Sequence, residues 1–196
     1  MSFEYSAENH DWDLTLRVAW NLLMSGQAVK AGPDFERKNE QEFSFLTGSM
    51  LLSFCAIESF TSSIAFSISE NNKFKTFNYE EYRKTVRFWD KIEKVCKALG
   101  SDVDKSQGLF QSIKKMQIWR NALAHSSPYE IEKTIIHDTQ KEPKKLHKPF
   151  QDEEYAKTVN VESAKQFYST AFDYIDLIKK KSGLDPRATC SYKALG

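Results

Sequence analysis

One long apolar segment limits what this chain can fold into. From Phe43 to Ile68 the sequence carries a single charged residue, Glu58, and the segment is long enough to cross a bilayer as a helix. The segment is also rich in serine and threonine, and it lacks flanking clusters of basic residues. These features favour a buried central helix over a membrane span. A membrane-associated protein is the weaker alternative.

Length and composition favour one soluble domain. The chain has 196 residues, enough for one domain with a full hydrophobic core, and its net charge is +1. Any contact with nucleic acid must therefore come from a local basic patch. The three cysteines have neither a disulfide framework nor zinc spacing, and the N-terminus has no apolar signal-peptide core. We therefore expect a cytoplasmic protein without a metal or other cofactor.

Apolar periodicity predicts an all-α, single-domain bundle of about five helices within residues 11–184. Residues 1–10 and 185–196 are expected to be tails. In the third helix the expected apolar face includes Val86. The predicted helices cover about residues 11–31, 42–70, 79–99, 106–124 and 161–181.

The connections between these helices carry their own signals. Residues 34–42 are expected to form a charged link before the second helix. An insert at 126–159 precedes the last helix, and a small β-hairpin or a loop is expected there. Asn160 is the expected N-cap of the last helix, and Gly183 is expected to end it.

The fourth predicted helix contains the residues of greatest chemical interest. At about 100° per residue, Arg120 falls in the same sector as a stripe of apolar side chains. An unpaired charge costs several kcal/mol in an apolar environment, so Arg120 needs either a buried acid or a cleft that binds an anion. Asn121 and His125 share a second face, on which Lys114 also lies. The apolar residues of the stripe are Leu109, Ile113, Met116 and Leu123.

The geometry of a regular helix separates the two most reactive of these side chains. Arg120 and His125 are about 140° apart around the helix axis. They can meet at one atom if the helix loosens near residues 126–128, or if two copies of the chain pool their Arg and His groups across a twofold axis. Glu58 is a candidate partner of Arg120, with a structural salt bridge favoured over a role in tuning the site, and we expect the two side chains to lie near each other.

The Arg120-Asn121 pair, followed by His125 at the end of a helix in a helix-rich chain, resembles the motif of the HEPN superfamily. Members of that family are small helical bundles that usually pair, with the motif lining a cleft between protomers. Many are RNA-cutting toxins or other defence components, and others have lost activity and act as binding or accessory modules. The resemblance implies that Arg120 and His125 are a catalytic pair and that Asn121 shapes the site, with Glu58 and Lys114 as candidate supporting residues.

The chemistry implied by the resemblance suits these residue types. RNA is cut without a metal when a base activates its 2′-OH to attack the adjacent phosphate, which leaves a 2′,3′-cyclic phosphate and a free 5′-OH. Histidine side chains can act as base or acid near neutral pH, and an arginine side chain can bind the phosphate oxygens. The expected partners are RNA, a second copy of the chain, and an antitoxin or defence-system protein, with no membrane. The alternative is a catalytically inactive HEPN-like module in which Arg120 is a structural charge and His125 caps the helix.

Overall fold

The fold is organised around one helix of 35 residues, α2 (Phe35–Ser69). Its segment Asn39–Ser69 has the length and mean hydropathy, 1.5, of a membrane span, but 56% of the apolar window is buried inside the protein. The prediction of a buried central helix is therefore confirmed. The structure is a computed structural model that describes residues 2–8, 10–29, 35–125, 154–187 and 189–195, without side-chain detail in 2–8, 35–38, 154 and 189–195.

The helices that surround α2 make up the all-α domain that the sequence predicts. The main ones are α1 (Trp12–Ala28), α4 (Phe88–Ala98), α5 (Gly108–Ala124) and α7 (Val161–Ser182), all of which pack against α2. Shorter elements connect them. These are a 3₁₀ turn (Asn72–Phe74), α3 (Tyr79–Arg83) and α6 (Glu154–Lys157).

The start of α2 corrects the prediction of a charged link at residues 34–42. The helix begins at Phe35, so most of the charged segment is helical. Glutamate, lysine, arginine and glutamine have high helix propensity, and no glycine or proline lies between Phe35 and Gly48. Charge alone therefore did not indicate a loop.

The third predicted helix is two helices, α3 and α4. Between them Arg87 has an extended backbone with φ −76° and ψ 132°, and Val86 is 90% exposed, so the prediction that Val86 belongs to the buried face is wrong. The adjacent β-branched residues Thr85 and Val86 have low helix propensity. The break between α3 and α4 lets Tyr82 of α3 and Ile92 of α4 both reach the core.

The last helix follows its predicted capping. The Asn160 side chain accepts a hydrogen bond from the Ser163 backbone N–H at 2.9 Å, and Gly183 ends the helix with a left-handed backbone at φ 70°. In the middle of α7 the buried Tyr174 hydroxyl lies 2.9 Å from Thr61 Oγ1 on α2. This polar contact fixes the register between the two longest helices.

The two chain ends are paired strands rather than the tails expected at residues 1–10 and 185–196. Strand β1 (Ser2–Glu8) is antiparallel to β2 (Thr189–Leu195), with Tyr5 opposite Tyr192. Each strand sequence alternates apolar and polar residues, a signal of period two that predicts a strand. Most of the 126–159 insert, where the sequence predicts a hairpin or loop, lies outside the described residues. The described part of the insert contains α6.

A close helix contact holds α1 against α2. A methyl group added at Gly26 would lie 2.6 Å from Leu46 Cδ2, and Leu46 is only 2% exposed. We predict that Gly26→Ala lowers the free energy of unfolding by about 1–3 kcal/mol because the packed Leu46 has little room to move. Urea denaturation measures the change.

Gly48→Ala is the matched control for that substitution. It lies on the same helix pair and would approach Leu22 Cδ1 at 3.0 Å, on a side chain that is only partly buried. Because alanine also favours helix by about 1 kcal/mol, its net effect should stay within about 1 kcal/mol of zero. Equal losses from the two substitutions would show that the Gly26 contact does not limit the packing of α1.

Candidate functional site

Helix α5 carries the motif and is anchored on both flanks by tryptophan hydrogen bonds. Trp119 Nε1 donates to the Tyr155 carbonyl oxygen at 3.0 Å, which ties α5 to α6. On the other flank, Trp89 Nε1 of α4 donates to Gln117 Oε1 at 2.7 Å. The orientation of α5 is therefore fixed just before the helix reaches Arg120.

Arg120 lies at the edge of the core rather than inside it. Its side chain is partly buried, and the guanidinium carbon is 5.8 Å from the centre of the Phe54 ring on α2. One guanidinium nitrogen, Nη1, donates to Asn121 Oδ1 at 3.2 Å. The Phe54 ring packs against Phe88 of α4 at 4.9 Å between centroids. Arg120 thus rests on an aromatic surface that stabilises a cation through its ring quadrupole.

Glu58 is close enough to Arg120 for their charges to interact, as the sequence led us to expect. Burial raises the pKa of the Glu58 carboxyl above its usual range, while the positive charges of Arg120 and Lys91 oppose that rise. Among the described side chains, none forms an ion pair with Arg120. The charges of Glu58 and Arg120 therefore interact at a distance longer than that of a salt bridge. The sequence had favoured a direct salt bridge between them.

Asn121, His125 and Lys114 all lie on the exposed side of α5. The helix remains regular to its end, since the His125 backbone N–H donates to the Asn121 carbonyl at 3.0 Å. His125 itself ends the helix with φ −121° and ψ 22°. The separation of about 140° between Arg120 and His125 is therefore retained within one chain. The loosening considered for residues 126–128 lies outside the described residues.

The unused hydrogen-bonding capacity of these residues indicates what the surface can bind. Within the described part of the chain, Asn121 Oδ1 is the one hydrogen-bond acceptor of the Arg120 side chain. The remaining guanidinium donors are left for an anion, and the planar fork suits phosphate oxygens. The exposed His125 ring has no described partner and is open to a proton donor or acceptor. Among the described residues, no three histidine, cysteine, aspartate or glutamate side chains are grouped so that they could hold a metal ion.

Three residues around Arg120 and Glu58 were not singled out in the sequence. Phe54 and Cys55 lie on α2 near Glu58, and burial together with the Glu58 charge raises the pKa of the Cys55 thiol. Phe54 precedes Glu58 by four residues, a spacing that places both on one helix face and could have identified it. Lys91 comes from α4, and no local signal links it to the motif.

We predict that Arg120→Ala lowers the free energy of unfolding by about 1–2 kcal/mol, measured by urea denaturation. The loss combines an aromatic contact with one hydrogen bond of a partly solvated cation. The control is Arg17→Ala, whose side chain is 69% exposed and pairs with Asp13, with an expected change below about 0.5 kcal/mol. A loss of several kcal/mol for Arg120→Ala would instead identify a fully structural charge.

The raised pKa of Glu58 predicts a pH dependence of stability. The Glu58 carboxyl keeps its proton to higher pH in the folded protein than in the unfolded chain, where its pKa is about the usual 4.5. Ionising this carboxyl therefore lowers the free energy of unfolding as pH rises above that pKa. Glu58→Gln cannot ionise, so its stability relative to the unmodified protein should improve between about pH 4 and about pH 7. Thermal denaturation across this range measures the difference.

The same substitution at Glu40 provides the control. Glu40 lies on the same helix but is exposed, so Glu40→Gln should show a smaller pH-dependent change. A pH profile for Glu58→Gln that is flat, or that matches Glu40→Gln, would contradict the electrostatic description of the site.

Comparisons of the chain with protein-family models, with curated proteins and with solved structures find no match. The functional argument therefore depends on the residues of this chain and on their geometry.

Proposed function

We propose that this chain is a metal-independent endoribonuclease of the HEPN type, with Arg120 and His125 as its catalytic residues. The proposal rests on the surroundings of the Arg120 guanidinium group. The guanidinium is partly buried on the Phe54 ring, no described acid forms an ion pair with it, and most of its donors have no described partner. An arginine held in this way is suited to bind a phosphate group of RNA.

The proposed reaction is an in-line attack within the RNA. A histidine side chain removes the proton of the 2′-OH, and the resulting oxygen bonds to the adjacent phosphorus. The bond from phosphorus to the 5′-oxygen breaks, and a second histidine side chain donates a proton to that oxygen. The products are a 2′,3′-cyclic phosphate and a 5′-OH. Arg120 stabilises the charge on the phosphate oxygens in the transition state, and Asn121 orients the Arg120 fork through its hydrogen bond.

A homodimer supplies the second histidine. Within one chain Arg120 and His125 lie about 140° apart around the axis of α5, so one α5 does not easily direct both side chains at one phosphate. Two α5 helices related by a twofold axis could face the His125 of one chain toward the Arg120 of the other. Lys114 lies on the same exposed side of α5 and could bind RNA backbone there.

A biological role in defence, as a toxin or antiviral component, follows from the resemblance and is part of the proposal. In that role the protein acts on RNA in the cytoplasm and is controlled by an antitoxin or another partner protein. The exposure of Asn121, His125 and Lys114 on one side of α5 is compatible with either RNA or a protein partner at that surface.

Cleavage of RNA in the presence of a chelator tests the catalytic assignment. His125→Ala should lower the rate by about 10²–10⁴-fold, as expected for the loss of a general acid or base. The products should carry 2′,3′-cyclic phosphate ends, which mass spectrometry identifies. Arg17→Ala, which removes an exposed charge on α1, is the control and should cut as the unmodified protein does. Equal cleavage by the His125 variant would refute the assignment.

Mixing the unmodified protein with the His125→Ala variant tests the two-chain site in the same assay. The two proteins, unfolded together and refolded, form mixed dimers that keep only one His125. If the site needs a histidine from each chain, mixed dimers should cut as slowly as the His125→Ala dimer, and the cleavage rate should fall with the square of the fraction of unmodified chains. A rate that falls only in proportion to that fraction, despite mixed dimers seen by native mass spectrometry, would mean that each chain carries its own complete site.

An inactive interaction module is the second candidate function. Contacts that need no ligand favour this candidate. The Arg120 guanidinium group lies over the Phe54 ring, and the His125 backbone N–H donates to the Asn121 carbonyl at the end of α5. In that case no RNA is cut at any protein concentration, while Arg120→Ala still destabilises the fold. The stability and cleavage measurements together separate the two candidates.

A further inference from the structure

A second cation shares the aromatic surface that surrounds Arg120. Lys91 of α4 is partly buried, and its Nζ lies 5.6 Å from the centre of the Tyr82 ring on α3. Arg120 has the same kind of support, since its guanidinium carbon lies 5.8 Å from the centre of the Phe54 ring. An aromatic ring stabilises a cation through its quadrupole, and more strongly where the cation is partly desolvated. Two helices of one chain therefore each present a cation held on an aromatic ring.

Both rings are fixed to the same face of α2. Phe54, Glu58 and Ser62 follow one another at intervals of four residues, which places them on successive turns of that face. The Tyr82 hydroxyl donates to Ser62 Oγ at 3.3 Å, so the ring under Lys91 is held at the Ser62 turn. The two cations therefore lie on either side of Glu58. At about 1.5 Å per residue, the α2 turns beneath them are roughly 12 Å apart.

The break between α3 and α4 brings Lys91 to this face. Tyr82 belongs to α3, whereas Lys91 lies in the first turn of α4, after the extended backbone of Arg87. Phe88 precedes Lys91 by three residues and packs on Phe54 with 4.9 Å between ring centroids. Residues three apart share a helix face, so the first turn of α4 directs Lys91 toward α2 as well.

The described side chains leave this cluster with a net positive charge. Glu58 supplies at most one negative charge between the two cations, and its charge interacts with both of them. Among the described acids, none forms an ion pair with Lys91 or Arg120. Lys94 on the same helix differs, since it pairs with Glu81. The unbalanced positive charge favours an anionic ligand.

The spacing of the two cations indicates an extended ligand rather than a single phosphate. Donors that bind one phosphate lie about 2.7–2.9 Å from its oxygens, so both must approach the same point. Arg120 and Lys91 instead rest over separate turns of α2, with Glu58 between them. A carboxylate in that position disfavours an anion at the midpoint and leaves one anionic group for each cation. Successive phosphates of single-stranded RNA supply such a row of charges.

We infer that Lys91 binds the RNA backbone at a phosphate near the one that Arg120 holds, so that α4 and α5 of one chain position the substrate together. The inference rests on the RNA substrate of the proposed function and adds a binding residue to it. Lys91 contacts a phosphate that does not react, and it thereby fixes the register of the RNA on the site. Arg120 and His125 keep the catalytic roles.

Binding of a fluorescein-labelled 2′-O-methyl oligouridine to the full chain, measured by fluorescence anisotropy, tests the inference. The methyl group blocks the attacking 2′-oxygen, so binding is measured without cleavage. Lys91→Gln should weaken binding at least about fivefold, because one charge-assisted phosphate contact is lost. It should also reduce the slope of log affinity against log salt concentration by about 0.7. Glutamine keeps part of the stem over Tyr82, and circular dichroism melting checks that the variant is folded.

The matched control is Lys97→Gln, which removes an exposed lysine from the same helix, about 120° from Lys91 around the axis. It should change the affinity less than about twofold. Equal weakening by the two variants would overturn the inference, since the loss of overall charge would then explain both. Failure of the oligonucleotide to bind the unmodified protein, or an affinity that Lys91→Gln leaves unchanged, would overturn it as well.

Cleavage kinetics separate a failure of this inference from a failure of the proposed function. With cleavable RNA, Lys91→Gln should raise KM and leave kcat nearly unchanged, because the lost contact is to a phosphate that does not react. A loss of kcat at unchanged KM would contradict the binding role. If the unmodified protein binds the oligonucleotide through Lys91 but cuts no RNA, the catalytic assignment fails and the RNA-binding inference stands.

Discussion

The rest of the structure depends on burying α2, a helix that is apolar on nearly every side. A helix of this kind cannot lie on the surface of a domain, so other helices must cover it around its circumference. Each large side chain that is fully buried contributes about 1.5–3 kcal/mol. The many hydroxyl residues of α2 do not prevent burial, because several bond to the backbone one turn earlier. Ser53 donates to the Ser49 carbonyl at 2.8 Å, and Thr61 to the Ile57 carbonyl at 2.6 Å.

This requirement also creates the candidate site. Glu58, the only acid in the middle of α2, cannot be placed deep in the apolar interior without a large cost. It lies instead half-buried where α4 and α5 approach, with Lys91 and Arg120 as the cations nearby. Phe54, one turn earlier, provides the surface on which Arg120 rests. The environment of the motif arginine is thus a consequence of how α2 is covered.

The sequence predicts the elements of this fold where the signal is local. Asn160 and Gly183 define the ends of α7 through their own side-chain and backbone chemistry, and the apolar stripes of α1, α5 and α7 identify the faces that pack. The break after α3 was missed because a stripe continued across it, although Val86 is in fact exposed. The strand pair was missed for another reason. Period two is visible in each strand, but the partner of β1 lies at the other end of the chain, and pairing over that distance has no local signal.

The candidate site was predictable to a similar extent. The position of Arg120 in the apolar stripe predicted its partial burial. The sequence also predicted that Glu58 lies near Arg120, but the two side chains do not form the expected ion pair. The role of Phe54 follows from its spacing to Glu58, whereas Lys91 depends on the packing of α4, which no local pattern specifies.

Helix α5 determines how far each motif residue is exposed to solvent. Its core-facing side holds the buried Ile113 and Met116, whereas Asn121 and His125 lie on its exposed side. Arg120 is partly buried between these two sides, at the boundary between core and solvent. A charge binds more strongly at such a boundary, because the local dielectric is lower than in water and the desolvation cost is below that of the interior. The position of Arg120 on α5 therefore combines a partly buried charge with access to solvent.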